Sequence, residues 1–349
     1  MKHSQDLAIR ERELENCGFV KTVLMIIIVF YHSILFWSES WFVGEPILRA
    51  PILGEIAAWL NSFHIYGFVL VSGYIYSCLK YEKDKYERFD LFVLNKVKRL
   101  LVPFVFVAII WVIPIGTYFF NWTWHDFAVK FAMATSPNQL WFLVMLFVVF
   151  IVFWPLSSFV KKHTVASGLV VCVMFCCGFV LGRFINVFQI STALTYMPLF
   201  WLGIKIRQYG SDIIMKIPAV LWILLDLVLF VVERYIVSGN SIIERVLDIA
   251  LTFALHIVGA IMIFVVLQKI AIVFNEWKQN KAFMFLNRNS MQIYLFHQQV
   301  IYFSIVLLNG KVNPYIHGIT NFLVSLIVSL TISFVLTRFK TLRFLLGEK

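Results

Sequence analysis

A lysine and a histidine eleven residues apart, Lys21 and His32, share one face of the first apolar stretch of this chain. At 100° per residue they fall within about 20° of one another around a helix and roughly 16 Å apart along its axis. Ionisable side chains inside a membrane span cost free energy and persist where they hold a charge, a proton or a substrate. One stripe of one helix thus joins a cation at the membrane edge to an imidazole near the centre. The lysine can hold an anion, and the imidazole can accept a proton near neutral pH.

Further polar groups recur in the other apolar stretches. Asn61, Ser62, Phe63 and His64 open the second, and Ser72-Gly73-Tyr74 comes near its other end. The third is preceded by Asn95-Lys96-Val97-Lys98-Arg99-Leu100-Leu101-Val102-Pro103. Lys96 and Arg99 are neighbours if this segment turns helical, and Pro103 suits the first turn of such a helix. Asn138-Gln139-Leu140-Trp141-Phe142 introduces the fourth, and Ser290, Gln292, His297, Gln298 and Gln299 lie in the ninth. Structural readings compete at each place. Lys21 also reads as a snorkelling anchor, Lys96, Lys98 and Arg99 as topology determinants, and Ser72-Gly73 as a close helix contact. His32, His64 and His297 also read as packed, hydrogen-bonded histidines. Asp226, Asp248 and His256 are expected to be buried and to serve packing or internal polarity.

The elements that must position these groups are membrane helices. The chain is 61% hydrophobic and 14% charged, with a mean hydropathy of +0.85, which excludes a water-soluble fold. A span needs about twenty mostly apolar residues. Ten stretches qualify: 20–38, 55–79, 101–120, 140–160, 164–182, 188–204, 216–233, 246–268, 290–308 and 317–337, the sixth interrupted by Pro198. With the N-terminus in the cytoplasm, 24 of the 30 basic residues fall on the cytoplasmic side, as the positive-inside rule requires. That asymmetry accounts for the net charge of +11 without nucleic acid and suits anionic lipid as a neighbour. The expectation is an all-α integral membrane protein of about ten transmembrane helices. It forms a single domain over 1–349, with a cytoplasmic N-terminal segment (1–19), a cytoplasmic tail (338–349) and no cleavable signal. Trp37, Trp41, Trp122, Trp124 and Trp141 read as interfacial aromatics. The cysteines show no Cys-x-x-Cys spacing, and Cys172 and Cys176 are expected to be small buried hydrophobes. No metal-binding pattern is present.

Five spaced motifs resemble those of the bacterial integral membrane acyltransferases of acyltransferase family 3, which O-acetylate cell-surface polysaccharides and related glycoconjugates. They are Lys21 with His32; Phe63-His64 with Phe68 and Ser72-Gly73-Tyr74; Lys96 and Arg99 with Leu100 and Pro103; Leu140-Trp141-Phe142-Leu143; and Ile293-Tyr294-Leu295 with His297-Gln298. One departure is Gly18, where many members have an aspartate; Glu15 or Asn16 stands nearby. The resemblance implies acetyl-CoA, or another acyl-CoA, as cytoplasmic donor. It also implies a glycan or lipid-linked sugar as acceptor, and the bacterial inner membrane as location. On this reading Lys96, Lys98 and Arg99 meet the CoA phosphates, and Lys21 holds an inner phosphate or the head of the arm. His32 is the general base on the acceptor hydroxyl. Asn61, Ser72, Gln139 or a second histidine, His64 or His297, would orient the acceptor or supply oxyanion donors. Direct attack on the thioester and an acyl-enzyme relay both remain open. The rival class is a multi-pass transporter or flippase of a lipid-linked sugar or small solute, for which Pro198 to Gly203 would be a broken helix.

Overall fold

Segments this apolar satisfy their backbone groups internally by forming helices. In the computed structural model, which describes residues 2–38, 43–184, 186–236 and 241–348, no strand occurs among the described residues. The long helices are α1 (Lys2–Ile34), α2 (Pro51–Tyr81), α3 (Phe89–Phe120), α4 (Trp141–Lys162), α5 (Thr164–Leu181), α6 (Ile190–Tyr209), α7 (Ala219–Tyr235), α8 (Ile242–Val273), α9 (Ser290–Leu308) and α10 (Pro314–Leu336). Nine of these are long and apolar enough to cross a membrane among the described residues; α7, with 17 residues, is shorter. It nevertheless traverses the bundle. At one end Lys269 Nζ donates to Ile217 O at 2.7 Å, and at the other Arg234 pairs with Glu55 at 2.7 Å. Lys278 pairs with Glu15, Asn287 donates to Gly18 O, and Gln292 donates to Glu348, so the N-terminal part of α1 and the last described residues lie at one end, the termini end.

α1 and α9 form the centre of the bundle. α1 packs against α2, α8, α9 and α10, whereas α5 and α10 lie at the periphery. α2 and α6 approach most closely. A Cβ on Gly73 would stand 2.0 Å from Phe200 O, and one on Gly203 would stand 2.0 Å from Leu70 O. The small residues let the two backbones touch. α6 runs unbroken through Pro198, so the segment from Pro198 to Gly203 is a packing surface and not the broken helix expected of a transporter.

A buried polar network ties the termini end together. Arg207, 2% exposed, grips Glu82 through Nε at 2.7 Å and Nη2 at 2.5 Å. Its Nη1 donates to Arg10 O at 2.7 Å and lies 3.2 Å from the Tyr74 hydroxyl, which donates to Glu13 at 2.7 Å. Ser211 also donates to Glu13, and Gln268 donates to Glu13 O at 3.0 Å. α1, α2, α6 and α8 are thereby joined. The Arg207 guanidinium, by hydrogen-bonding Glu82, holds that carboxyl below the usual carboxylate range.

Several expectations are corrected. α1 begins at Lys2 rather than near residue 20, and the network above holds its 10–13 stretch against α6 and α8. Because α1 ends at Ile34, His32 sits in its last turn and not at mid-helix. α3 begins at Phe89, so Pro103 lies inside it. Wide turns accommodate Pro103 and Pro114: Val102 N–H reaches back five residues to Val97 O, and Ile113 N–H to Ala108 O. Trp37 is buried, donating to Leu48 O, and is not interfacial; Trp41 lies outside the described residues. Cys172 and Cys176 are exposed on α5, where the surrounding lipid is as apolar as a core. Asp226 is buried and accepts from Trp59 Nε1 at 2.8 Å, but Asp248 and His256 are only half-buried.

Two stability tests follow. Gly203→Leu drives a side chain into backbone and is expected to cost about 1–3 kcal/mol or more, read as a lower melting temperature in detergent. Gly18→Ala, whose added carbon would meet only the Asn287 and Trp277 side chains at 3.4 and 3.5 Å, serves as the tolerated control. Glu82→Gln is expected to lower the melting temperature at neutral pH. Because the folded-state pKa of Glu82 is depressed, its contribution is complete above the unfolded value of about 4.3. The gap between wild type and variant should therefore close as pH falls through the depressed value.

Candidate active site

The histidines that entered the sequence analysis separately meet in space. His32, in the last turn of α1, has Nδ1 2.9 Å from Ile28 O of its own helix and 3.2 Å from His297 Nε2 on α9. His297 Nδ1 lies 2.8 Å from Tyr294 O and 3.1 Å from Ile293 O. A carbonyl can only accept, so each Nδ1 carries the proton and each Nε2 the lone pair. The Nδ1–H of His32 thus faces two acceptors, a carbonyl and the His297 lone pair. If His32 Nε2 takes a proton, these two acceptors stabilise the resulting cation and hold the ring in place. His297 stands to His32 as an orienting partner stands to a general base. His64 follows the same rule, with Nδ1 2.6 Å from Leu60 O across the break in α2 between Asn61 and His64. Tyr31 lies between the His64 and His32 rings, 4.6 and 4.8 Å from them.

A lock of amides fixes the start of α4 against α9. Gln139 Nε2 donates to Gln299 Oε1 at 2.7 Å and to Leu295 O at 3.0 Å, and Gln299 Nε2 returns a bond to Gln139 Oε1 at 3.0 Å. Gln298 Oε1 accepts from Gln139 N–H at 3.1 Å, Gln298 Nε2 donates to the Tyr302 hydroxyl at 2.8 Å, and the Tyr294 hydroxyl donates to Gln139 O. Beside this lock a cavity of about 360 Å³ opens, with His32, Gln298 and Trp141 on its wall. Its rim is formed by the residues before α4 and the turn before α6.

Nearer the termini end, three cations converge. Lys21, half-buried on α1, lies within electrostatic range of Arg99 and Lys96 on α3. Lys96 is 8% exposed, with its Nζ 3.4 Å from the Phe150 ring centroid and 5.1 Å from that of Tyr86. None of the three has a carboxylate partner among the described residues. Clustered cations without counter-ions set up a positive local potential. A Cβ on Gly347 would stand 3.1 Å from Arg99 O, so the last described residues lie against the cluster.

The structure therefore brings together Lys21, Lys96 and Arg99, and separately His32, His297 and Gln139. Lys98 is exposed and makes no hydrogen bond or ion pair among the described residues. Asn61 is exposed in the break of α2, and the Ser72 hydroxyl donates to Phe68 O of its own helix at 2.8 Å. Both Gln139 side-chain N–H bonds are occupied by the lock. Glu15 faces Lys278, and Asn16 is buried with its amide nitrogen unbonded among the described residues. Sequence reasoning did not single out Gln189, Gln298 or Trp141 as site residues. The last two lie inside motifs already noted, whereas nothing in the sequence marks Gln189.

The His297 geometry makes a specific forecast. His297→Leu should lower turnover about 10²-fold or more, with little change in KM for the donor. His297→Gln, whose carbonyl can replace the lost acceptor, should recover part of it. Equal activity of the wild type and His297→Leu would remove the orienting role.

The comparison with known proteins agrees with a transferase built on this scaffold. The family model described as an acyltransferase domain matches residues 18–338. No curated protein and no solved structure gave a match. The match takes in the basic cluster, the histidine pair and nearly every spanning helix: the chain belongs to acyltransferase family 3 and is a multi-pass membrane acyltransferase.

Proposed function

We propose that the protein transfers an acetyl group from acetyl-CoA to a hydroxyl of a cell-surface or lipid-linked glycan, in the inner membrane of a bacterium. The termini end, rich in Lys and Arg, is cytoplasmic on this reading, and the cavity beside His32 opens toward the outer face. The observation that carries the proposal is His32 on the wall of a polar cavity with His297 behind it, and the cations Lys21, Lys96 and Arg99, without carboxylate partners among the described residues, toward the cytoplasmic end. A thin, polyanionic thioester suits that layout, with its phosphates at the cations and its thioester directed along α1.

In the reaction, His32 Nε2 removes the proton of the acceptor hydroxyl while that oxygen attacks the thioester carbonyl. The C–S bond breaks as the new C–O ester bond forms. The proton held on His32 passes to the departing thiolate, giving CoA thiol and the acetylated sugar. His297 and Ile28 O stabilise the transient imidazolium through Nδ1–H. Holding both substrates at one point supplies much of the acceleration, so direct transfer needs no covalent intermediate.

His32→Ala should leave a folded, membrane-inserted protein whose rate is lower by about 10²–10⁴-fold. Mass spectrometry of surface glycan would then show loss of the acetyl-sized increment; wild-type acetylation would remove His32 from the mechanism. Arg99→Ala should raise KM for acetyl-CoA about tenfold, the cost of one charge-assisted hydrogen bond, with kcat little changed. An unaltered KM would return Arg99 to a topological role.

A further inference from the structure

We infer that the cavity beside His32 accepts an uncharged sugar ring, a neutral hexose, deoxyhexose or N-acetylhexosamine, seated on Trp141, and excludes rings bearing carboxylate or phosphate. This rests on the acyltransferase reading above and specifies its acceptor.

The chemistry of the wall carries the argument. The cavity is lined by hydroxyl and amide side chains, one indole and the His32 imidazole, with no Asp, Glu, Lys or Arg. Ser136, on the exposed rim, makes no hydrogen bond among the described residues, and Asn138 uses only its Nδ2, 3.4 Å from the Tyr302 hydroxyl. The indole N–H groups of Trp37, Trp59, Trp111 and Trp154 all have acceptors. That of half-buried Trp141 has none among the described residues. A flat apolar surface ringed by neutral donors and acceptors complements a pyranose, which has C–H faces and hydroxyl edges. A carboxylate or phosphate placed there would lose water without gaining a cation, since Lys21, Lys96 and Arg99 lie toward the opposite end.

The wall is also rigid. Six non-glycine residues among those described adopt left-handed backbone, and four of them flank this cavity: Ala134 (φ 51°), Asn138 (φ 48°), Phe188 (φ 51°) and Gln189 (φ 55°). Such strain persists only where the surroundings over-determine it. Here Gln189 Nε2 donates to Ala134 O at 2.7 Å and Thr135 O at 2.8 Å, and Phe188 N–H donates to Met133 O at 2.8 Å. The segment before α4 and the turn before α6 are thereby tied into one preformed surface. A preformed neutral wall cannot rearrange to supply a counter-charge.

The test isolates surface glycan from cells with and without the gene and identifies by tandem mass spectrometry which ring carries the gene-dependent ester. In parallel, acetyl-CoA binding to the purified protein is read as a thermal shift. An ester on a neutral ring is the expected result. An ester on a uronic acid, a sialic acid or a phosphorylated ring, with acetyl-CoA binding intact, overturns this inference and leaves the acyltransferase reading standing. Absence of both ester and acetyl-CoA binding overturns the reading beneath it. Trp141→Ala should reduce the ester at least tenfold and Trp141→Phe less than threefold, both with an unchanged acetyl-CoA thermal shift. Equal esterification by Trp141→Ala and wild type would remove the stacking platform.

Discussion

A polar side chain surrounded by lipid must find its hydrogen-bond partner within the protein, and most of this architecture answers that demand. His32, His64 and His297 each direct Nδ1 at a carbonyl of their own helix. The bond satisfies the buried donor and simultaneously selects the tautomer whose basic lone pair is Nε2. One local requirement, imposed by the membrane, thus delivers the protonation state that base chemistry needs. The same demand closes the Gln139–Gln299 amide pair and gathers Glu13, Tyr74, Glu82 and Arg207 into one network.

Polarity is divided along the bundle. Toward the termini, cations are either matched, as Arg207 is by Glu82, or left without a carboxylate, as Lys21, Lys96 and Arg99 are. The Phe150 and Tyr86 rings lie against the Lys96 ammonium, and a cation over a ring face is attracted electrostatically. Around His32 the polar groups are neutral. The two ends therefore offer different electrostatic environments, and the histidine pair stands at the neutral end.

Helix geometry is adjusted where these groups must be aimed. The wide turns of α3 carry Lys98 and Arg99 around a proline, and the break in α2 lets His64 reach Leu60 O. Close contact between Gly73 and Phe200, and between Gly203 and Leu70, holds α2 against α6. These two backbones touch because their facing residues lack side chains, and residues that pattern analysis associates with a motif thereby also serve packing.

Apolar runs, basic asymmetry and ordered motifs were legible in the chain itself, because burial in lipid demands long hydrophobic segments and basic residues resist translocation. Those features determined the helical membrane class, ten stretches and the residues Lys21, His32, Lys96 and Arg99. Spatial convergence was not legible. His32 and His297 are 265 positions apart, and Gln139 and Gln299 are 160. Nothing periodic links such pairs, because their contact depends on how helices pack and not on the turn of any one helix. Nor could spacing separate Lys98 from its neighbours, since a wide turn shifts the helical face by an extra residue. Only the tertiary structure decided that Ser72 bonds its own helix, that Trp141 borders a cavity, and that Gln189 clamps two strained segments into its rim.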